Sequence, residues 1–322
     1  MKIKSLFIMM FLFINVYANQ TLKVGVLAFG TVNWELDVIK HNKLDKKYGI
    51  DLQVVKLASK NAVSIAIQSK SVDIIVTDWI WVNRQRFEGR DYTFYPYSRA
   101  IGALYTSNKD IKTLLDLKGE RLGVSGGSVD KTWLLFQAYT KSKYNQNLKK
   151  IVDPVFAAPP ILYKKMLDKS LDASINFWHF NAKLKAKEFR KLIDVQEVFN
   201  TFDIRNDVPL VGWTFSQEFA KNNKQTVNNF LQASYEAKKL LNSSESEWDR
   251  IRTLMKAKND NTFKALKEGY RNGIVKEFSE DEKQAASKVF ELLYKEGGKS
   301  LVGKSTHLDK DTFWDFKPDI NW

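Results

Sequence analysis

The chain has 322 residues, of which 44% are hydrophobic, it contains no cysteine, and its formal net charge is +14. Without cysteine there are no disulfides, thiolate metal ligands or cysteine nucleophiles, so large hydrophobic cores must hold the fold. The basic charge is typical of nucleic-acid-binding proteins, but the lysines are scattered through segments such as 141–150 and 183–191, without five consecutive basic residues. We therefore expect a solvated basic surface and no nucleic-acid partner.

The first 18 residues predict an export signal. Lys2 and Lys4 give a positive start, residues 6–16 are mostly apolar, and Val16 and Ala18 provide small residues for cleavage. The apolar run is shorter than the roughly 20 residues that a membrane-spanning helix needs. We expect residues 1–18 to be a cleaved signal peptide and the mature chain to be a soluble protein of the periplasm.

Short β-branched runs then alternate with helical patterns along the chain. The first unit has predicted strands at 22–27, 52–57 and 72–76, and helices at 33–47 and 59–68. The second has strands at 100–106, 121–125, 152–156 and 171–176, and helices at 111–117, 128–142, 160–168 and 178–188. A last strand at 210–215 precedes helices at 223–241, 246–256, 261–272 and 279–294. Strands that alternate with helices imply parallel sheets with right-handed crossovers.

The two α/β units follow each other without a repeat, a low-complexity tract or a proline-rich linker. We therefore expect two lobes between which the chain crosses on strands, with hinges at 103–106 and 210–213. The final helix is predicted to open with a capping box formed by Ser279 and Glu282. The sequence thus predicts a two-lobed α/β protein with a helical C-terminal part.

Three motifs, together with the order of the elements, resemble one family. They are LDLKG at 115–119 before a strand, GGS at 126–128 at a helix start, and LDA at 171–173. These features are similar to the substrate-binding proteins of ABC importers for nitrate, sulfonates, taurine and thiamin-type pyrimidines. The resemblance covers nearly the whole mature chain and does not reveal the ligand.

The resemblance implies a type II periplasmic-binding-protein fold, in which each lobe is a mixed or parallel sheet flanked by helices. Residues 19–108 with 208–322 would form lobe one, and residues 109–207 would form lobe two. A small-molecule ligand would be held between the lobes. The implied partner is an ABC permease in the membrane, and the protein itself is expected to be a monomer.

In open α/β sheets, ligands bind beyond the carboxyl ends of the strands. The residues that follow the predicted strands are therefore the candidate ligand-binding residues. They are Asn33, Trp34, Asp78, Trp79, Gly126, Gly127, Ser128, Asp130, Asn176, Trp178, His179 and Trp213.

The glycine pair at 126–127 allows two interpretations. Glycines permit close backbone approach, and the free N–H groups of the helix start would bind an acceptor on a ligand. Alternatively, the segment is an ordinary helix start with Ser128 as N-cap and Asp130 complementing the helix dipole. His179 also allows two interpretations, as a ligand contact or as a partly exposed histidine with a local hydrogen bond, of which the second is the more common in proteins.

The tryptophans near strand ends are also ambiguous, because an indole serves both as a stacking wall and as core. For Trp34, Trp79 and Trp178, binding and packing are equally expected. Trp81 and Trp133 lie one turn inside their helices and are expected in the cores. Trp213 lies close to the second expected hinge.

The candidate pocket contains no arginine, whereas a dedicated sulfonate or carboxylate site usually offers a bidentate guanidinium. Asp78 and Asp130 would repel an anion unless they are neutralised. We therefore expect a planar, neutral or weakly cationic ligand such as a thiamin-precursor-like pyrimidine, with Asp78 accepting hydrogen bonds from its amino groups. The alternatives are a sulfonate, taurine or nitrate, or a ligand-sensing domain with the same pocket.

Enzyme motifs are lacking in the sequence. There is no His-Glu-x-x-His or Cys-x-x-Cys metal motif, no Gly-x-Ser-x-Gly elbow and no Walker loop, so we expect neither a metal nor a cofactor. Asp78 and His179 can be drawn as an acid/base pair, but so can any two polar pocket residues. Fungal pyrimidine synthases share the fold of the resembled family, yet this chain lacks their Cys-rich motif. We expect a binding protein rather than an enzyme.

Overall fold

The computed structural model describes residues 20–204 and 208–322, and the expected signal peptide at residues 1–18 lies outside them. Within the described residues the chain forms ten strands. In chain order they are β1 (Gln20–Leu27), β2 (Ile50–Leu57), β3 (Ile74–Asp78), β4 (Tyr92–Ser98), β5 (Ala103–Thr106), β6 (Arg121–Val124), β7 (Asp153–Phe156), β8 (Ala173–Asn176), β9 (Arg190–Asp194) and β10 (Val211–Ser216).

The strands form two mixed sheets. The first has the order β2-β1-β3-β10-β4, with β1, β2 and β3 parallel and β10 antiparallel to both of its neighbours. The second has the order β7-β6-β8-β5-β9, with β6, β7 and β8 parallel and β5 antiparallel to both of its neighbours. We call the first sheet with the helices packed on it lobe one, and the second sheet with its helices lobe two. The predicted two-lobed α/β fold with mixed sheets is confirmed.

One boundary predicted from the sequence is wrong. The strand at 103–106 was expected to be a hinge at the end of lobe one, but it lies inside the second sheet, between β8 and β9. The chain therefore crosses to lobe two through residues 99–102, immediately before β5. Pairing on both sides leaves β5 no freedom to act as a hinge, since bending would break ladder hydrogen bonds with its neighbours.

Helices connect the strands and form the C-terminal part. They are α1 (Val32–His41), α2 (Leu44–Lys47), α3 (Lys60–Gln68), α4 (Trp79–Phe87), α5 (Lys131–Tyr144), α6 (Leu148–Ile151), α7 (Pro159–Leu167), α8 (Trp178–Lys185), α9 (Val195–Thr201), α10 (Gln217–Asn222), α11 (Lys224–Ser243), α12 (Glu245–Met255), α13 (Asp260–Asn272) and α14 (Glu280–Val302). Short 3₁₀ turns lie at Leu115–Leu117 and Lys310–Thr312.

Helix capping follows the sequence closely. The Ser59 hydroxyl accepts a hydrogen bond from the Ala62 N–H at the start of α3. Ser279 and Glu282 form the predicted capping box of α14. The helix predicted at 33–47 is instead divided into α1 and α2, because Lys43 adopts a left-handed backbone with φ of 54° that ends the helical run.

The C-terminal helices pack on both lobes. α13 lies against α8 of lobe two, and α14 contacts α4 of lobe one as well as α5 of lobe two. Val289 and Phe290 of α14 share one hydrophobic cluster with Trp79 of lobe one and Trp133 of lobe two. The expected assignment of the whole C-terminal part to lobe one is therefore too simple, because this part bridges the lobes. Among the described residues, no helix combines the length and apolar character needed to cross a membrane.

A buried ion pair lies in the core of lobe one. The Lys238 ammonium is 2.8 Å from the Glu35 carboxylate, and both side chains are almost inaccessible to solvent. The Glu35 carboxylate also accepts hydrogen bonds from the Ser234 and Tyr270 hydroxyls, and the Lys238 ammonium lies 4.5 Å from the centre of the Tyr97 ring. Each buried charge is thus matched, and removal of one partner would leave the other uncompensated.

Replacement of Lys238 by methionine should lower the free energy of unfolding by about 3–5 kcal/mol, because Glu35 then remains buried without a cation. Urea denaturation would measure the change. The exposed neighbour Lys239 is the matched control, and Lys239→Met should leave stability nearly unchanged. The double variant Glu35→Gln/Lys238→Met should be more stable than Lys238→Met alone. A double variant no more stable than Lys238→Met would mean that Glu35 and Lys238 are not ionised in the core.

Candidate ligand-binding cleft

The carboxyl ends of the parallel strands of both sheets face a common cleft. Its volume is about 420 Å³, which is within the range of small-molecule sites. Lobe one contributes the turn after β1, the start of α3 and the end of β3. Lobe two contributes the segment before and at the start of α5 and the junction between β8 and α8. The crossing segment at 100–102 and Tyr97 of β4 also line the cleft.

Half of the residues predicted from the sequence line this cleft. They are Asp78, Gly126, Asp130, Asn176, Trp178 and His179. They share one position in the topology, because each lies at the end of a strand, in the connection that follows it, or at the start of the next helix. The strand-end rule therefore located the cleft.

Two predicted tryptophans lie in the core instead. Trp79 is 0% exposed, and its Nε1 donates a hydrogen bond to the Pro209 carbonyl at 3.1 Å. Trp213 is also fully buried, and its Nε1 donates to the Ser234 hydroxyl at 3.2 Å. The N–H group of each indole thus already has a hydrogen-bond partner inside the protein. Because both side chains are fully buried, neither can contact a ligand in this conformation.

Asn33 and Trp34 lie behind the cleft wall. The Asn33 amide donates to the Leu27 and Gly30 carbonyls at 2.8 and 2.7 Å, which fixes the turn after β1. Trp34 is buried, and its ring meets the Trp178 ring edge-on with centroids 6.0 Å apart. These two residues support lining residues rather than lining the cleft themselves.

The glycines at 126 and 127 make room for the residue that caps α5. α5 begins at Lys131, and the Asp130 carboxylate accepts a hydrogen bond from the Trp133 N–H at 3.1 Å, so Asp130 is the N-cap and the expected role of Ser128 is wrong. A Cβ at Gly126 would overlap the Asp130 carboxylate, and Gly127 has a φ of 81° that favours glycine. Gly127 and Ser128 form the turn that carries Asp130 into the cleft.

The expectation for Trp81 is also corrected. Trp133 is buried in the core as predicted, but Trp81 is only partly buried and lines the cleft. Its ring stacks on Tyr92 with centroids 5.4 Å apart, so one face is fixed. Trp81, Trp178, Phe177 and Tyr97 therefore give the cleft aromatic walls on both lobes.

Charged groups meet across the cleft. The Lys131 ammonium of lobe two lies 2.9 Å from the Asp78 carboxylate of lobe one. The Lys60 ammonium of lobe one lies 5.1 Å from the centre of the Phe177 ring of lobe two. The sequence did not single out Lys60, because a lysine at a helix start looks like any other surface lysine.

Burial and these lysines act in opposite directions on the two carboxyl groups. Burial is the largest single influence and raises the pKa of Asp78. The Lys131 and Lys60 ammonium groups and the Trp81 N–H together outweigh it, so the resulting pKa of Asp78 lies below its usual value. Burial also raises the pKa of Asp130, and there Lys60 and Lys131 offset the effect only in part. Among the described lining residues, two lysines face two carboxyl groups and no arginine is present.

Two lining side chains carry a buried polar atom without a hydrogen-bond partner among the described residues. They are the Nε2 of His179 and the hydroxyl of Tyr97. His179 is only 7% exposed, and burial, with a smaller effect from Lys183, lowers the pKa of His179 to about 3. The imidazole is therefore neutral at physiological pH. An unpaired buried polar atom is costly, and a bound molecule would satisfy it.

Asn176 organises the lobe-two side of the cleft. Its amide donates to the Pro159 carbonyl at 3.0 Å, and its side-chain oxygen accepts from the Phe177 N–H at 2.8 Å. The Asn181 amide donates to the Asn176 and Ala103 carbonyls at 3.0 and 2.9 Å. These bonds fix the junction that presents Phe177, Trp178 and His179.

Solved structures share this architecture. The periplasmic aliphatic sulphonate binding protein SsuA of Escherichia coli is 16% identical, with a TM-score of 0.71 and 94% of each chain covered. The alkanesulfonate-binding protein SsuA of Xanthomonas axonopodis pv. citri, bound to MOPS, is 16% identical, with a TM-score of 0.68 over 91% of this chain and 98% of that one. The periplasmic nitrate-binding protein NrtA of Synechocystis PCC 6803 is 12% identical, with a TM-score of 0.56 over 89% and 91%. At these identities the likeness shows the fold.

A search among curated proteins found no match. One family model, described as NMT1/THI5 like, matches residues 46–243, which is more than half of the chain. The matched range includes the end of β3, the glycine segment before α5 and the β8–α8 junction, and so most of the cleft. The chain belongs to the NMT1/THI5-like family.

Proposed function

We propose that this chain is the solute-binding protein of an ABC importer, which captures a small molecule in the periplasm and delivers it to a membrane permease. The observation that carries the proposal is the cleft between two lobes, lined by strand ends of both sheets. Family membership supports it, and structures of similar fold include periplasmic binding proteins. The protein acts as a monomer and as a binder rather than an enzyme.

The ligand that fits best is planar, nitrogenous and without net charge, as a thiamin-precursor-like pyrimidine is. The aromatic side chains of Trp81 and Trp178 offer faces and edges for a flat ring. The neutral His179 imidazole and the Tyr97 hydroxyl offer unpaired polar atoms to amino or ring-nitrogen groups. The balanced lysines and carboxyl groups give no net attraction to an anion.

The role expected for Asp78 changes with the geometry. Its two carboxylate oxygens already accept hydrogen bonds from the Trp81 N–H at 2.9 Å and from the Lys131 ammonium at 2.9 Å. Donors on the ligand would therefore have to share these oxygens with Lys131. Asp130 remains the carboxyl group with spare acceptor capacity, since only one of its oxygens accepts the helix N–H.

A sulfonate or a related anion is the second candidate. One specific observation favours it: within the described residues, the Lys60 ammonium has no carboxylate within ion-pair distance, although Asp78 and Asp130 are near, and it lies over the Phe177 ring. A sulfonate placed there would gain a direct ion pair. Similar folds described as sulfonate-binding and nitrate-binding proteins make this class the natural comparison.

Titration of the intrinsic tryptophan fluorescence distinguishes the candidates. The probes are 4-amino-5-hydroxymethyl-2-methylpyrimidine, taurine, ethanesulfonate and nitrate, with calorimetry to give the dissociation constants. We expect saturable binding of the pyrimidine and no binding of the anions, because ring stacking and hydrogen bonds to neutral groups dominate this cleft. Binding of a sulfonate alone would contradict the pyrimidine proposal and leave the importer proposal in place.

The Trp81→Leu variant should weaken pyrimidine binding roughly twofold to tenfold, the range expected for loss of an aromatic pair. Trp322→Leu is the matched control, because Trp322 is exposed at the far end of the chain. Equal affinities in the two variants would show that the indole of Trp81 does not contact the ligand.

The buried neutral His179 should also make stability depend on pH. The pKa of His179 is about 3 in the folded protein and about 6.5 in an unfolded chain. The contribution of the neutral His179 to the free energy of unfolding is fully present above pH 6.5 and is lost as the pH falls from 6.5 towards 3. In this range the imidazole of the unfolded chain binds a proton, whereas the buried imidazole of the folded protein stays neutral. Between pH 7.5 and 5 the loss should be about 2 kcal/mol.

Urea denaturation at the two pH values measures this loss in the wild type and in His179→Gln. The variant should lose about 2 kcal/mol less than the wild type over the same interval. His41→Gln, which removes an exposed histidine, is the control for the loss of an imidazole. Equal slopes in the wild type and His179→Gln would mean that His179 titrates near its ordinary pKa.

A further inference from the structure

Side chains of the two lobes touch directly across the cleft. The Asp78–Lys131 ion pair joins the end of β3 in lobe one to the start of α5 in lobe two at 2.9 Å. The side chains are 17% and 24% exposed, so salt screens this pair less than it screens a surface pair. The pair is formed by groups of the protein alone.

The charges of the two lobes are arranged reciprocally. Lobe one presents Lys60 and Asp78, and lobe two presents Asp130 and Lys131. Opposite signs attract across the cleft when the lobes are together: Lys131 lowers the pKa of Asp78, and Lys60 lowers the pKa of Asp130. Lys60 adds a second crossing contact through its cation–π approach to Phe177.

A notch in the C-terminal part receives an aromatic side chain of lobe two. The Trp178 ring lies so close to Gly269 of α13 that a Cβ at Gly269 would be 2.8 Å from a ring carbon. On its other side Trp178 meets Trp34 of lobe one. Glycine inside a helix is unfavourable by itself, so its presence at this point of α13 is explained by the room that it gives to Trp178.

We propose that the Asp78–Lys131 ion pair and the seating of Trp178 against Gly269 form a latch that holds the lobes together in the absence of ligand. Asp78 and Lys131 act as positioning residues, which set the distance between the lobes. This goes beyond the proposed transport function, because the latch acts whichever solute the cleft receives.

The latch has a consequence for binding. A ligand enters only while the lobes are apart, so a latch that favours the closed form makes both entry and release depend on a minor open population. Weakening the latch should increase the association and dissociation rates together. A residue with a merely structural role would not change the distance between the lobes in a folded, ligand-free protein.

Distances between spin labels test the latch. The chain has no cysteine, so cysteines introduced at Ile65 of α3 and Ile161 of α7, which are 63% and 51% exposed, would be the only labelled sites. The protein is unfolded in urea, dialysed to remove bound solutes and refolded before measurement by pulsed electron resonance. Urea denaturation of each variant confirms that it is folded.

The ligand-free protein should show one dominant short distance. Lys131→Met should add a longer distance and lower the ratio of closed to open molecules roughly threefold to tenfold, the effect of losing a partly buried ion pair. Gly269→Ala should do the same, although alanine is the better helix former. Lys164→Met, which removes an exposed lysine of lobe two, should change nothing. A long distance alone in the ligand-free protein, or unchanged distances in either latch variant, would overturn the proposal.

Discussion

The direction of the parallel strands is the constraint on which the site depends. β1 and β3 of lobe one, and β6 and β8 of lobe two, all end at the cleft. The residues that follow them are therefore brought together although they are far apart in sequence. The antiparallel strands β10 and β5 lie inside their sheets and flank the crossings between lobes. The cleft is thus a consequence of topology, and its chemistry is set by which side chains occupy the strand ends.

The sequence predicted the strand ends well, but it could not show which tryptophan side chains face the cleft and which face the core. Trp79 and Trp81 lie on the same helix two residues apart, which turns their side chains about 200° from each other. One of the two must face the core and the other the cleft, and the apolar pattern of α4 is too even to decide which. The structure buries Trp79 and exposes Trp81 to the cleft. Trp81 was expected in the core and Trp79 was open between binding and packing, and only the packing of α4 against α14 and β4 decides between the two positions.

Other misses have equally local causes. β4 is rich in aromatic residues but contains Pro96, and a proline counts against a strand. β9 begins with Arg190 and Lys191, which resembles a solvated turn. Lys60 became important only because lobe two brings Phe177 over it. Contacts between residues from different lobes leave no periodic pattern in the sequence, so the arrangement of charges across the cleft could not be predicted.

The central claim is that a solute occupies the cleft between the lobes. Mass spectrometry of small molecules released from the natively purified protein tests it most directly, with two neighbouring substitutions as a matched pair. Ser64 lines the cleft, whereas Ile65 is 63% exposed on the outside of the same helix. The account predicts one solute from the wild type and from Ile65→Trp, and its loss from Ser64→Trp, whose indole fills the cleft. Equal amounts of that solute from both tryptophan variants would contradict the account.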